Sequence, residues 1–161
     1  MAENHALYLG KLLGNLQSLE SLLRLYLLAC ARQPLPQPPS GPDYWELTPG
    51  DRVPVDAFTD YRTLGQLISA FNASVSHSDP TLTVPQAVVL IRDLLAHGRV
   101  SAKAADPTLL KIIKFNAPPK GFGEVTVAAV ALMSEEWFTS HIEMTRIAIE
   151  HVQSAYTTLA T

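Results

Sequence analysis

Arg92, Asp93 and His97 are the residues whose types and spacing are best suited to chemistry, and Gly98 follows them directly. A histidine exchanges protons near neutral pH, and an arginine binds anions such as phosphate. The pattern is therefore a candidate site for proton transfer at a phosphate. A structural role also fits these residues: Arg92 and Asp93 solvated or paired across a dimer interface, and His97 as a cap at a helix C-terminus.

Helical periodicity decides where these three side chains point. At about 100° per residue, Asp93 and His97 lie one turn apart on one flank. Arg92 and His97 lie about 140° apart, on opposite flanks. The last two converge on a phosphate more easily if a symmetry-related helix faces the first, or if the chain unwinds at Gly98. The spacing therefore favours a composite site in a twofold-symmetric dimer.

The string Ile-Arg-Asp-Leu-Leu-Ala-His-Gly over residues 91–98 resembles the signature of the HEPN superfamily. In that signature an arginine and a following histidine on a core helix are separated by four to six residues, and four residues separate Arg92 from His97. The resemblance covers the helical core in outline: a long first helix, a following helix, the motif helix and a closing helix. The proline-rich loop and the β insertion described below are not part of the minimal pattern.

The resemblance implies an activity and a role for each motif residue. Many members of the superfamily resemble metal-independent RNases that act as dimers, with the motif helices facing across a cleft. His97 would then be the acid/base for attack of an RNA 2′-hydroxyl on the adjacent phosphate. Arg92 would hold the phosphate and stabilise the charge of the transition state. Asp93 stands where the family has a polar residue, often Asn, and its carboxylate adds repulsion toward a phosphate.

Two functions from different classes follow from this resemblance. The first is a HEPN-like endoribonuclease of toxin or phage-defence type. The second is a catalytically silent HEPN-like module that binds a partner protein or a nucleotide. The expected partners are a second copy of the chain, RNA, and an antitoxin or a nucleotidyltransferase.

Charge is unevenly distributed along the chain, so the average charge does not argue against nucleic-acid binding in every segment. The 161 residues carry a formal net charge of −3, which argues against strong general binding of nucleic acid. Residues 92–120, however, hold six basic and two acidic residues, a net charge of +4, and the rest of the chain carries −7. Arg99 and Lys103 follow the motif in this basic segment, and they are the predicted substrate-binding residues.

Apolar periodicity predicts the elements that carry the motif. Four principal helices are expected, over 4–33, 62–76, from an N-cap at Thr83 to Gly98, and from an N-cap at Ser134 to the C-terminus. Residues 34–60 contain a proline-rich run and predict an irregular loop. Gly10 and Gly14 lie on one face of the first helix and predict close packing by a neighbour.

A small antiparallel β insertion is predicted over 99–133. Its candidate strands are 99–104, 109–115 and 124–131. The segment 108–115 fits a helix as well, since Asp106-Pro107 can begin one, but a turn over 118–123 would close a hairpin and favours a strand. The fold class is therefore mainly α: a HEPN-like helical bundle of about four principal helices, with the insertion before the last helix, in a single domain over 1–161.

Composition and residue counts argue against several classes of protein. A hydrophobic fraction of 47% can build a core and excludes global disorder. The one cysteine, Cys30, cannot form an internal disulfide. The remaining histidines lack metal-ligand spacing, so neither a metal nor a cofactor is expected. No targeting or membrane-spanning segment is evident, and the sequence predicts a cytoplasmic protein without a membrane partner.

Overall fold

The computed structural model describes residues 2–31, 46–118, 120–121 and 123–159. The described part is mainly helical, with a three-stranded antiparallel sheet before the last helix, as the sequence predicts. The elements in chain order are α1 (Ala2–Ala31), α2 (Leu64–Val75), a 3₁₀ turn (Pro80–Leu82), α3 (Ala87–His97), β1 (Arg99–Lys103), β2 (Asp106–Phe115), β3 (Val127–Leu132) and α4 (Glu135–Leu159).

The chain forms two compact units, each built from two separate segments. The first unit comprises residues 1–16 and 86–147, and the second comprises 17–85 and 148–161. Helices α1 and α4 each contribute a segment to both units. The expectation of a single domain stays a prediction.

The sheet of the first unit is a simple meander in the order β1-β2-β3. Both neighbours of β2 are antiparallel to it, so the segment 108–115 is a strand and not a helix. Asp106 does not begin a helix but is the first residue of β2, and its side chain accepts hydrogen bonds from the backbone N–H and the hydroxyl of Thr108. Ile112 is the buried residue of β2, at 2% exposure.

Helix α4 begins where its capping residue predicts. The Ser134 hydroxyl accepts a hydrogen bond from the backbone N–H of Trp137 at 3.1 Å, which confirms Ser134 as the N-cap. Further along, the fully buried Thr145 receives a hydrogen bond from the Asn15 amide at 3.1 Å. This bond joins α1 to α4 within the first unit.

The second unit packs α2 against the C-terminal part of α1. Tyr26 lies edge-on to Phe71 at 4.9 Å between ring centroids, and both rings are buried. Helix α2 begins with a capping box, in which Thr63 and Gln66 satisfy each other's backbone N–H groups. The predicted second helix is therefore confirmed, with slightly narrower bounds.

The predicted N-cap of the third helix is wrong. Helix α3 begins at Ala87 after Gln86, whereas Thr83 follows the 3₁₀ turn in extended conformation. The reason is the amide of Asn72, which donates to the Val84 carbonyl and accepts from the Val84 N–H, both at 2.8 Å. Both backbone groups of Val84 are therefore bound to a side chain of α2, and the helix begins only after this residue.

The packing expectation for Gly10 and Gly14 is also wrong. Both glycines are exposed, and apart from the adjacent residues and nearby backbone of α1 itself, no described atom lies within 4 Å of a Cβ built on either one. They lie on an open face of α1.

The predicted irregular loop over 34–60 falls partly outside the described residues. Residues 34–45 are not described, and residues 47–63 form turns and extended chain. Arg24 of α1 holds the end of this loop, because its guanidinium binds the side chain of Asp60 at 3.0 Å and the backbone carbonyls of Asp60 and Arg62 at 2.9 Å. None of the described helices combines the length and the apolar character that a bilayer crossing needs.

Candidate functional site

Helix α3 positions the candidate residues by burying its opposite side. Val88, Ile91 and Leu94 are buried at helical spacing, which leaves Arg92 and His97 exposed. The helix ends at Gly98, whose N–H donates to the Leu94 carbonyl at 2.8 Å. A Cβ at Gly98 would lie 2.5 Å from Ile112 Cγ1, so only glycine lets the end of α3 approach β2 this closely.

Asp93 lies between two cations. Its Oδ1 atom is 3.2 Å from Arg92 Nη1, and its Oδ2 atom is 3.7 Å from Lys114 Nζ of β2. All three side chains are partly exposed, so each pair contributes little to stability, about 0–1 kcal/mol. The three residues together carry one net positive charge, and the carboxylate lies beside the guanidinium of Arg92.

His97 occupies the last helical position of α3 and is exposed. Among the described residues, no hydrogen bond or ion pair joins its imidazole to Asp93, although the two lie one turn apart. Asp93 is instead engaged by Arg92 and Lys114. The imidazole is therefore exposed to solvent at the end of α3, two residues before β1 begins.

Arg92 and His97 do not share a flank of α3. The helix is uninterrupted from Ala87 through His97, so the chain does not unwind before Gly98. Five residues of regular helix place the two side chains about 140° apart around the axis. A single copy of α3 therefore does not aim both groups at one small anion.

The two predicted substrate-binding residues lie on β1, an edge strand. Arg99 is paired with Ile113 and so lies on the opposite face of the sheet from Ile112 and Lys114. Its guanidinium carbon is 5.6 Å from the centre of the Phe115 ring, a cation–π distance. Lys103 is exposed four residues further along, about 13 Å from Arg99 at the usual strand rise.

Lys114 forms a charged cluster with Arg92 and Asp93, but it lies outside the sequence motif. The sequence places it in the basic segment 92–120, but its contact with Asp93 depends on the sheet register. The signal in the sequence is its position two residues after Ile112, since alternation places both on the same face of a strand. That face is the one that meets the end of α3.

The titratable side chains of the described residues do not form a metal site. No group of three or more His, Cys, Asp or Glu side chains in that part of the chain could hold a metal ion. The Nδ1 atom of His151, for example, is hydrogen-bonded to the carbonyl oxygen of Thr83 at 3.0 Å.

In comparisons with known proteins, no family model matches the chain, and no curated protein or solved structure matches it.

Proposed function

We propose that this chain is a HEPN-like, dimeric endoribonuclease that cleaves RNA without a metal ion, in the manner of a toxin or defence protein. The observation that carries the proposal is the exposure of Arg92 and His97 on one uninterrupted helix, on flanks about 140° apart. A second copy of α3 facing the first would bring the guanidinium of one chain and the imidazole of the other to one phosphate.

The proposed chemistry needs only these side chains. His97 takes the proton from a ribose 2′-hydroxyl, whose oxygen then attacks the adjacent phosphorus. The bond from phosphorus to the 5′-oxygen breaks, that oxygen takes a proton from water, and the hydroxide left behind takes the proton held by His97. Arg92 stabilises the negative charge that builds on the phosphoryl oxygens. The products are a 2′,3′-cyclic phosphate and a 5′-hydroxyl.

In this scheme, Lys114 makes it easier for Arg92 to exchange Asp93 for a phosphate. When a phosphate replaces Asp93 as the partner of Arg92, the displaced carboxylate keeps its contact with Lys114. The exchange therefore costs less than separating an isolated ion pair, because Asp93 is never left without a cation. Arg99 and Lys103, on β1, would bind phosphates further along the RNA.

The experiment is RNA cleavage in the presence of a metal chelator, with Arg92→Ala and His97→Ala compared with the wild-type chain. We expect each variant to lose at least about 100-fold in rate, which is the lower range for removing a general acid–base group. Arg52→Ala and His77→Ala are the matched controls, since both residues are exposed and lie outside the motif. Cleavage that survives both motif substitutions, or its absence from pure wild-type protein, contradicts the proposal.

A second candidate is a catalytically silent HEPN-like module that binds a partner protein or a nucleotide. The observation in its favour is the ion pair between Arg92 and Asp93, which already neutralises the guanidinium. The product of a neighbouring gene, such as an antitoxin or a nucleotidyltransferase, is the partner to test by co-expression. A stable complex together with inactive wild-type protein would favour this function.

We place either function in the cytoplasm. The chain has a single cysteine and gains nothing from an oxidising compartment.

A further inference from the structure

Strand β3 (Val127–Leu132) is an open edge of the sheet in the first unit. Five of its six residues are exposed, and its large side chains, Val127, Val130 and Leu132, are each about half exposed. The strand contains neither a charged residue nor a proline. Sheet edges that stay unpaired usually carry such residues, because they discourage a further strand from pairing. β3 is therefore able to accept another strand.

The hydrogen bonds of β3 define the centre of this open edge. The Met133 N–H donates to the Leu110 carbonyl at 2.9 Å, so alternate residues counted back from Met133 direct their backbone groups toward β2. Val130 lies between them, and its N–H and carbonyl point to the open edge, where no described residue outside the sheet binds them. Leu132 points the same way, but its carbonyl already accepts from the Ser134 N–H at 2.9 Å.

The opposite edge of the sheet, β1, carries charges that oppose strand pairing. Arg99 and Lys103 both belong to β1 and are exposed. Two copies of β1 side by side would bring like charges together, which destabilises a strand pair. Two copies of β3 bring no charges together, and each gives the exposed valines and leucine of the other an apolar neighbour. The charge pattern therefore favours self-association at β3 and opposes it at β1.

We infer that two copies of the chain pair through β3, antiparallel, about a twofold axis at Val130. Each Val130 donates its N–H to the carbonyl of the other, and the two side chains lie next to each other on one face of the sheet. On the opposite face, Ala129 of one copy lies beside Ala131 of the other. The result is one six-stranded sheet. This interface belongs to the dimer of the proposed function, on which the inference rests.

The pairing also brings the two motif helices onto one face of the sheet. The end of α3 packs on the face of β2 that carries Ile112 and Lys114. The twofold axis between antiparallel strands runs perpendicular to the sheet, so both copies of α3 lie on the same side. Three strand spacings, about 14 Å, separate the two β2 strands. Ala129 and Ala131 of each copy line this face between them, and their small side chains leave the space between the helices open.

Strand pairing by itself is a small interface. Six residues a side are fewer than the roughly 20–30 of a standard interface, so contact between the facing α3 helices must add to it. Leu90 of α3 is 72% exposed and is available for that contact. Because neither contact is large, the dimer should dissociate when β3 is altered.

Disulfide cross-linking tests the position of the axis. The chain has one cysteine, so Cys30→Ser gives a cysteine-free background. In that background, Val130→Cys places two thiols across the axis, at about 5.5 Å between Cα atoms, which is within the range for a disulfide. Val100→Cys on β1 is the matched control, because Val100 is exposed to a similar extent, yet about 24 Å separates the two β1 strands of the proposed sheet.

We expect Val130→Cys to form a covalent dimer under mild oxidation at micromolar concentrations, and Val100→Cys to stay monomeric on a non-reducing gel. No cross-link at position 130, or an equal cross-link at position 100, overturns the β3 interface.

Charge at position 130 gives a second test, read as mass by analytical ultracentrifugation. Val130→Lys and Val130→Glu each place like charges opposite one another, and each should weaken the dimer at least about tenfold. An equimolar mixture of the two should recover the dimer, because opposite charges then meet at the axis, and misfolded variants would not recover. Val100→Lys is the control and should keep the wild-type mass. A dimer that withstands Val130→Lys, or a mixture that stays monomeric, contradicts the interface.

Neither measurement involves RNA, so the interface and the proposed RNase activity can fail separately. A dimer that cleaves RNA but gives negative results in both tests keeps the RNase and loses the β3 interface. A chain that pairs through β3 and does not cleave RNA keeps the interface and loses the RNase. A monomeric wild-type chain without the cross-link at position 130 overturns the interface and leaves the β3 edge for a strand of another protein.

Discussion

Asp93 is the residue that most directly limits what Arg92 can do. Its carboxylate pairs with Arg92 and Lys114 at once. The spacing of Arg92 and His97 could be read from the sequence, because both lie on one helix. The contact with Lys114 could not, because it depends on which β2 residue the register brings beside α3.

The first prediction concerns the charge of this cluster. Asp93→Asn should tighten RNA binding several-fold and make it more sensitive to salt, since the cluster gains one positive charge. Stability should change by less than about 1 kcal/mol, because the lost ion pairs are partly exposed. Binding is measured by fluorescence anisotropy at several salt concentrations, with Glu124→Gln as a control for the same charge change elsewhere. Weaker binding by Asp93→Asn would mean that the carboxylate itself supports RNA binding.

The second prediction concerns the carboxyl of Asp60 in the second unit. Burial by itself would raise the pKa of Asp60, but hydrogen bonds and charge from Arg62, with a hydrogen bond from Arg24, lower it below its usual value. A carboxyl with a lowered pKa in the folded state stabilises the fold above its unfolded pKa, near 4, and this contribution is lost as the pH falls through the folded pKa.

The wild-type chain should therefore be more stable than Asp60→Asn at neutral pH, and the difference should shrink below about pH 4. Urea unfolding of both chains between pH 7 and pH 2.5 measures it. A difference in unfolding free energy that stays constant over this range would show that Asp60 acts through shape and not through charge.

At the scale of elements, two glycines with opposite surroundings give the third prediction. A Cβ at Gly98 would collide with the Leu94 carbonyl and Ile112, whereas one at Gly14 meets open space on α1. Gly98→Ala should destabilise the fold by about 1–3 kcal/mol, as overpacking does. Gly14→Ala should stabilise it by up to about 1 kcal/mol through helix propensity. Urea unfolding measures both, and effects of the same sign would contradict this account of the α3–β2 contact.

Local sequence patterns are sufficient to predict some of the helices, but not the start of α3 or the strand at 108–115. The long apolar stripe of α1 and the serine cap of α4 were predictable, because both signals are local. The start of α3 was not, because the amide of Asn72, twelve residues before Val84, binds both backbone groups of that residue. Strand pairing decided the state of 108–115 in the same way, since its local pattern fits helix and strand alike.

At the scale of the whole molecule, the average charge is a poor guide to partners. The chain is acidic overall, yet the basic segment 92–120 covers the end of α3 and two strands of the sheet. The sheet separates these cations: Lys114 lies on the face toward α3, and Arg99 lies on the other. An RNA strand that contacts both must pass from one face of the sheet to the other.

In the proposed dimeric endoribonuclease, Arg92 of one chain and His97 of a second chain form one site. The most direct test is activity of a heterodimer in which one chain carries Arg92→Ala and the other His97→Ala, co-expressed with different tags and purified on both. Each heterodimer retains one intact composite site of two, so we predict about half of the wild-type RNA cleavage rate, although each variant alone is inactive. A heterodimer that is as inactive as the two homodimers, or no recoverable dimer at all, would contradict the composite site.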